Sequence, residues 1–127
     1  MTNTLAIGKQ LVELCRLGKN IEAMETLYAP NIVSIEAMGG PDMPAGMEGI
    51  DALRAKSQWW YDNNEVHSGT TESPWPHGDR FIVRFNYEVT AKIGPMKGQR
   101  MDIEEAALYT VAGGKIVKEE FFYSMPG

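Results

Sequence analysis

Residues 80–123 read RFIVRFNYEVTAKIGPMKGQRMDIEEAALYTVAGGKIVKEEFFY. Phe81, Val83, Phe85, Tyr87, Val89 and Ala91 alternate with Ile82, Arg84, Asn86, Glu88, Thr90 and Lys92. A period of two puts successive side chains on opposite sides of a strand, so one face here is apolar and the other mostly polar. Gly94-Pro95 and Gly98 bracket a turn. A second long strand follows, with Met101, Ile103, Glu105, Ala107, Tyr109 and Val111 on one side. Gly113-Gly114 is a hairpin signal. The last strand, Lys115 to Tyr123, sets Val117, Phe121 and Tyr123 against Ile116 and Phe122. Neither face wins, and burial on both sides is expected.

Upstream of this block the pattern changes. Glu65 to Ser73 is strand-like, and SPWPHGD after it is rich in turn residues. Ile50 to Asn63 predicts a helix with Ile50, Leu53, Ser57, Trp60 and Tyr61 along one stripe and Trp59 about a quarter-turn away. Before it lies MGGPDMPAGMEG, Met38 to Gly49, where glycine and proline forbid regular structure. Met38, Met43 and Met47 make this loop soft and apolar, as suits a flap over a pocket mouth or a connection tacked down by methionines. Asn31 to Ala37 reads as a strand rich in Ile and Val. Two helices come first. One is capped by Asn3 or Thr4, carries Ile7, Leu11, Leu14 and Cys15 at helical spacing, and ends at Gly18. The other is capped by Asn20, places Met24, Leu27 and Tyr28 on one face, and stops at Pro30. Helices segregated from a hairpin-connected sheet predict an α+β fold, with the helices on the concave face of a curved, mainly antiparallel sheet.

The chain has 127 residues, 43% of them hydrophobic. That length buries roughly two-thirds of its unfolded surface, enough for one core but not two. A single domain over residues 1–127 is expected. The formal net charge of -5 argues against nucleic acid, which needs a basic surface to displace counterions. Anionic membranes are disfavoured for the same reason. No apolar run is long enough to span a bilayer, and the N-terminal stretch lacks the zones of a secretion signal. The only cysteine, Cys15, reads as a core residue. A reduced, cytoplasmic setting is expected.

Three segments together carry a resemblance: METLYAPNIVSIEA (24–37), GMEGIDALRAKSQWW (46–60) and ALYTVAGGKIVKEEFFY (107–123). In their order and spacing the chain resembles the nuclear transport factor 2-like superfamily, in its SnoaL-like, polyketide cyclase-like branch. The resemblance implies a cystatin-like cone, with a cavity between helices and sheet, and homodimers that pack sheet against sheet. It implies no single activity, since the superfamily holds isomerases, dehydratases, cyclases, hydrolases and binding proteins. In its steroid isomerase members a carboxylate base sits after the first strand, at the position of Glu36. Their oxyanion-binding tyrosine falls on Leu11 and their protonated aspartate near Ala106 or Ala107, one or two places from Glu105. The chain departs from that constellation at both.

Read on their own, two carboxylates stand out. Glu36, at a strand end below the methionine loop, is either a base with a raised pKa or a solvated side chain. Alternation leaves this open, because Ile32, Ser34 and Glu36 share one face and Val33 and Ile35 the other. Glu105 interrupts an apolar face and must be paired, protonated or at a wet cavity. It lines a pocket, or it pairs with an arginine such as Arg84 or Arg100. Its neighbour Glu104 points to the opposite face, and Glu119 and Glu120 are separated in the same way. His67, on the strand after the third helix, is a third candidate for chemistry, while His77 lies in a turn. Trp59, Trp60, Phe81, Phe85, Tyr87 and Tyr109 are core residues, some of which line whatever cavity remains. The two histidines have no second-ligand spacing, and no nucleotide-binding glycine fingerprint is present, so no metal or cofactor is expected.

Three functions remain open. The first is an isomerase, cyclase or dehydratase for a small apolar or aromatic oxygenated molecule. In it, Glu36 would take a proton from carbon and Tyr109, Glu105 or His67 would steady the oxygen. The others are a non-catalytic ligand-binding protein and a dimeric interaction module, with a homodimer expected through the outer sheet face at Ile82, Arg84, Glu88, Leu108 and Thr110.

Overall fold

A computed structural model describes residues 3–39 and 44–123. The chain runs α1 (Thr4–Arg16), α2 (Asn20–Leu27), β1 (Tyr28–Ile35), β2 (Gly46–Glu48), α3 (Ile50–Asn63), β3 (Asn64–Thr71), β4 (Trp75–His77), β5 (Arg80–Ala91), β6 (Arg100–Ala112) and β7 (Lys115–Phe122). The strands form one curved sheet in the order β2-β1-β7-β6-β5-β3, with β4 also paired to β5. Every pairing between these strands is antiparallel except β1 with β7. The α+β expectation holds. The β5 and β6 strands alternate in the predicted phase: Phe81, Val83, Phe85 and Val89 are buried and face Tyr109, Ala107, Glu105 and Met101 across the ladder. The β6–β7 hairpin turns at Gly113 and Gly114, whose φ of 58° and 79° suit residues without a Cβ.

Several local expectations change. The second helix ends at Leu27, so Tyr28 belongs to β1 rather than to the helix, and Pro30 lies inside that strand instead of stopping the helix. The proline is accommodated because β2 covers only Val33 to Ile35, and the ladder to β7 is irregular between Tyr28 and Val33. The Asn3 side chain makes no cap; instead Thr4 donates its hydroxyl proton to the Gly78 carbonyl at 2.9 Å, tying α1 to the turn before β5. Asn20 is the first residue of α2 rather than its cap. The SPWPHGD stretch contains the short strand β4. Met47 lies in β2 and packs against the core, Met38 is exposed, and Met43 lies outside the described residues.

Two β-bulges set which side chains face the helices. Thr110 pairs with Lys118 but Val111 pairs with Ile116, so Val117 is an extra residue in β7. The strand is rephased there, and Ile116 and Glu119, three positions apart, are both buried on the inner face. On β3, Val66 pairs with Val89 and Ser68 with Glu88, leaving His67 as the extra residue.

Candidate functional site

Where the helices meet the inner face of the sheet, a cavity of about 450 Å³ remains. That is the size of pockets that take small organic molecules. Its wall is mostly apolar. Trp60 is edge-on to Tyr61 at 5.2 Å and tilted against Tyr87 at 6.0 Å, and Tyr87 stacks on Phe85 at 5.9 Å. The described flanks of the Met38–Gly49 segment, at Met38, Gly39 and Pro44, contribute to the same wall.

Three carboxylates and one ammonium group break this apolar lining: Glu36, Glu105, Glu119 and Lys56. Most of them are linked. Glu119, 2% exposed, accepts hydrogen bonds from the Tyr28 hydroxyl and, at 2.8 Å, from Ser34 Oγ. Lys56 Nζ donates to Ser34 Oγ at 2.9 Å and to Glu36 Oε1 at 2.8 Å. The Tyr123 hydroxyl donates to Glu36 Oε2 at 3.0 Å. Burial raises the pKa of Glu119, opposed by the Tyr28 hydrogen bond and by Lys56.

Glu105 stands apart from this chain. Among the described residues nothing donates a hydrogen bond to it, and its carboxylate opens on the cavity. The arginines that could have neutralised it lie on the outer face, where Arg84 is 3.5 Å from Glu72 and Arg100 is 3.0 Å from Glu88. Burial, reinforced by the charges of Glu36 and Glu119, pushes its pKa up to about 7; Lys56 pulls weakly the other way. A carboxyl poised there can both accept and return a proton near neutrality.

The structure places the other candidates as follows. Glu36 faces the cavity, but its two oxygens are taken by Lys56 and Tyr123. Trp59, Trp60, Phe85, Tyr87 and Tyr109 line the wall. Burial holds the Tyr87 and Tyr109 hydroxyls well above their ordinary pKa, so both stay protonated. Phe81 does not line the cavity: it is fully buried, stacked on Tyr109 at 4.9 Å, under α1. A Cβ at Gly8 would lie 3.3 Å from its ring, so the helix closes over that end of the sheet. His67 does not reach the cavity either. Unbroken alternation from Thr71 and Gly69 would carry it inward, but the bulge turns it outward, where Nε2 lies 2.6 Å from Thr90 Oγ1. Cys15 reaches the cavity wall, with a thiol pushed by burial up to about 12, far from a nucleophile. The described residues contain no cluster of side chains suited to a metal ion.

Lys56, Ser34, Glu119 and Tyr123 are the site residues that the sequence reading passed over. Two signals for them existed. Lys56 lies three residues after Leu53 and four before Trp60, on the apolar stripe of α3, and Glu119 shares strand phase with Phe121 and Tyr123.

The profile of the SnoaL-like domain matches residues 1–123. The chain belongs to the SnoaL-like domain family. A Mesorhizobium loti protein whose structure bears the name SnoaL-like polyketide cyclase is 46% identical over 93% of this chain and 97% of its own, with a TM-score of 0.86. A ketosteroid isomerase-like protein from Catenulispora acidiphila, solved with trimethylamine, is 20% identical over 98% of this chain and 88% of its own (TM-score 0.69). A Bacillus subtilis structure named for an isomerase is 14% identical over 95% and 86%, with a TM-score of 0.72. At those identities the last two show the shared fold alone. Comparison with curated proteins gives no match. The chain thus has the nuclear transport factor 2-like, cystatin-like fold.

Proposed function

We propose that this SnoaL-like domain binds a small, largely apolar, oxygenated molecule and moves a proton to or from one of its carbon atoms, as isomerases, cyclases and dehydratases do. The observation that carries this reading is the Glu105 carboxylate, set in an apolar cavity wall with no hydrogen-bond donor among the described residues, where burial pushes its pKa up to about 7. Glu36, the base position of the steroid isomerase relatives, is bound by a cation and a tyrosine and takes a supporting role. A reducing, cytoplasmic setting completes the reading, since one cysteine allows no internal disulfide.

The test uses 2-tetralone, an apolar ketone with acidic α-hydrogens. Incubation with the protein in heavy water should exchange those hydrogens for deuterium, followed by NMR. The rate should rise with pH through about 7 and then level off, because only the ionised carboxylate is a base. Binding of 2-tetralone without exchange at any pH would leave a ligand-binding protein.

The outer face supports a second proposal, a homodimer. Trp75 pairs with Ile82, and Ile82 with Leu108, in a row across the sheet, and Phe122 is 55% exposed beside Ala106. Two copies packed sheet to sheet would cover this row. Sedimentation at micromolar concentration should show a dimer that Ile82→Lys converts to monomer; a monomeric wild type sinks the proposal.

A further inference from the structure

The outer face of the sheet carries a knob on one side and a hollow on the other. Trp75, on β4, is 72% exposed, more than any other large apolar side chain among the described residues. An open recess of about 580 Å³ lies where β1 and β7 end, walled on the outer face by Ile35, Ala37, Glu120 and Phe122.

Strand register puts the two on one line. Trp75 pairs with Ile82, Ile82 with Leu108, Leu108 with Glu120, and Glu120 with Ile35. Paired residues share a face, and Ile82 points away from the buried Phe81 and Val83, so the whole line lies on the outer face. Leu108 on β6 is its midpoint. Trp75 stands two strand spacings to one side of it and Ile35 two spacings to the other, roughly 10 Å each way.

A two-fold axis relating two facing sheets lies in the plane between them. Directed along β6, it reverses the order of the strands. Trp75 of each copy then stands over Ile35 and the recess of the other, and Leu108 meets Leu108. On the adjoining line Arg84 pairs with Ala106 and Ala106 with Phe122. The same axis brings the Arg84 guanidinium over the exposed Phe122 ring of the second copy, a favourable cation–aromatic approach, with the small Ala106 between. Arg80 and Lys118 also approach, but Arg80 is exposed and Lys118 already has Glu120 at 3.6 Å. Directed across the strands through Leu108 instead, the axis would set Glu120 against Glu120 and Arg80 against Arg84, like charges at both places.

We propose that two copies of this chain pack about an axis along β6, with Trp75 of each filling the outer recess of the other. The proposal rests on the homodimer reading above and supplies its anchor and its register. Glu120 on the recess wall accepts the indole N–H, and Ile35, Ala37 and Phe122 take the ring. A tryptophan seated in a hollow is the kind of contact that dominates the stability of an interface. Glu36, Phe121 and Tyr123 line the recess on one side and the inner cavity on the other. The second copy's indole would therefore back the wall of that cavity.

The test is sedimentation of the full chain in two variants, alone and mixed. Trp75→Ala removes the knob and Ala37→Phe fills the hollow; both positions are exposed, so neither change disturbs the core. Each variant alone should dimerise roughly 100-fold more weakly than the wild type. Their equimolar mixture should form a heterodimer at least ~10-fold tighter than either homodimer, because the one remaining tryptophan meets the one remaining recess. A wild type that stays monomeric sinks the homodimer reading and this register together. A dimer weakened by Trp75→Ala but indifferent to Ala37→Phe, with no gain on mixing, keeps the dimer and overturns the register, since the tryptophans then meet each other. A dimer indifferent to both variants gives the recess to another occupant, residues 124–127 of its own chain or a small ligand, and the proposal falls.

Discussion

Glu105→Gln is expected to stabilise the domain at about pH 8 by about 2–3 kcal/mol while lowering 2-tetralone exchange at least ~100-fold. The two effects share one cause. In the unfolded chain Glu105 titrates at its ordinary 4.5, and in the folded protein near 7. Between those values the folded state holds a proton that the unfolded state has released. Stability therefore falls as pH rises through that window. The group costs nothing below about 4.5 and its full penalty, at most about 3 kcal/mol, above about 7. Glutamine matches the protonated carboxyl in shape and cannot ionise. The variant should equal the wild type near pH 4 and gain on it steadily up to about pH 8 in urea denaturation. An advantage independent of pH would show that Glu105 is not desolvated in solution, and the base reading would fall with it.

The second large effect is at Glu119. Glu119→Ala should destabilise the domain by about 3–5 kcal/mol, a substantial fraction of what a domain this size possesses. It removes the acceptor from two buried hydroxyls, Tyr28 and Ser34, and leaves a void beside them. Glu119→Gln keeps one acceptor oxygen and should lose about 1–2 kcal/mol. If the linkage is real, Tyr28→Phe made in the Glu119→Ala background should cost much less than in the wild type, a coupling of about 1–3 kcal/mol. Additive effects would mean that the Tyr28–Glu119 hydrogen bond contributes nothing measurable.

These residues also mark where sequence reading stops. Strict alternation over β5 and β6 puts Glu105 in phase with the apolar set of its strand, since a slip of one residue would turn that whole set to solvent, but it leaves open whether a cavity or an arginine meets the carboxylate. Glu36 was ambiguous on paper, since Ser34 and Ile32 share its face; it took Lys56, twenty residues away on α3, to give that face a polar interior. The bulges at His67 and Val117 had no local signature. Both follow from how neighbouring strands twist past one another, a property of the assembled sheet rather than of either segment. One misdirected His67 inward, and the other hid the fact that Ile116 and Glu119 share a face. Phe81 failed differently: its phase was right, but α1 crosses above it at Gly8, and the position of that crossing is a matter of tertiary packing.

The last strand of the chain is not at the edge of the sheet. β7 lies between β6 and β1 and supplies the parallel rung that joins the hairpin half of the sheet to the first strand. During synthesis, α1, α2, β1, β2 and α3 leave the ribosome with no strand to complete their sheet, and β5 and β6 can pair only with each other and with β3 and β4. The residues near 28–36 must wait for partners some 85–91 positions later. Closing loops that long is slow, and the wait exposes the apolar β1 and β6 borders of two half-sheets. Folding should accordingly commit late, only once β7 has emerged, with that strand acting as the keystone. A nascent chain arrested before Lys115 should be protease-sensitive throughout its length, and chaperone demand should peak at that point rather than at the end of the helices.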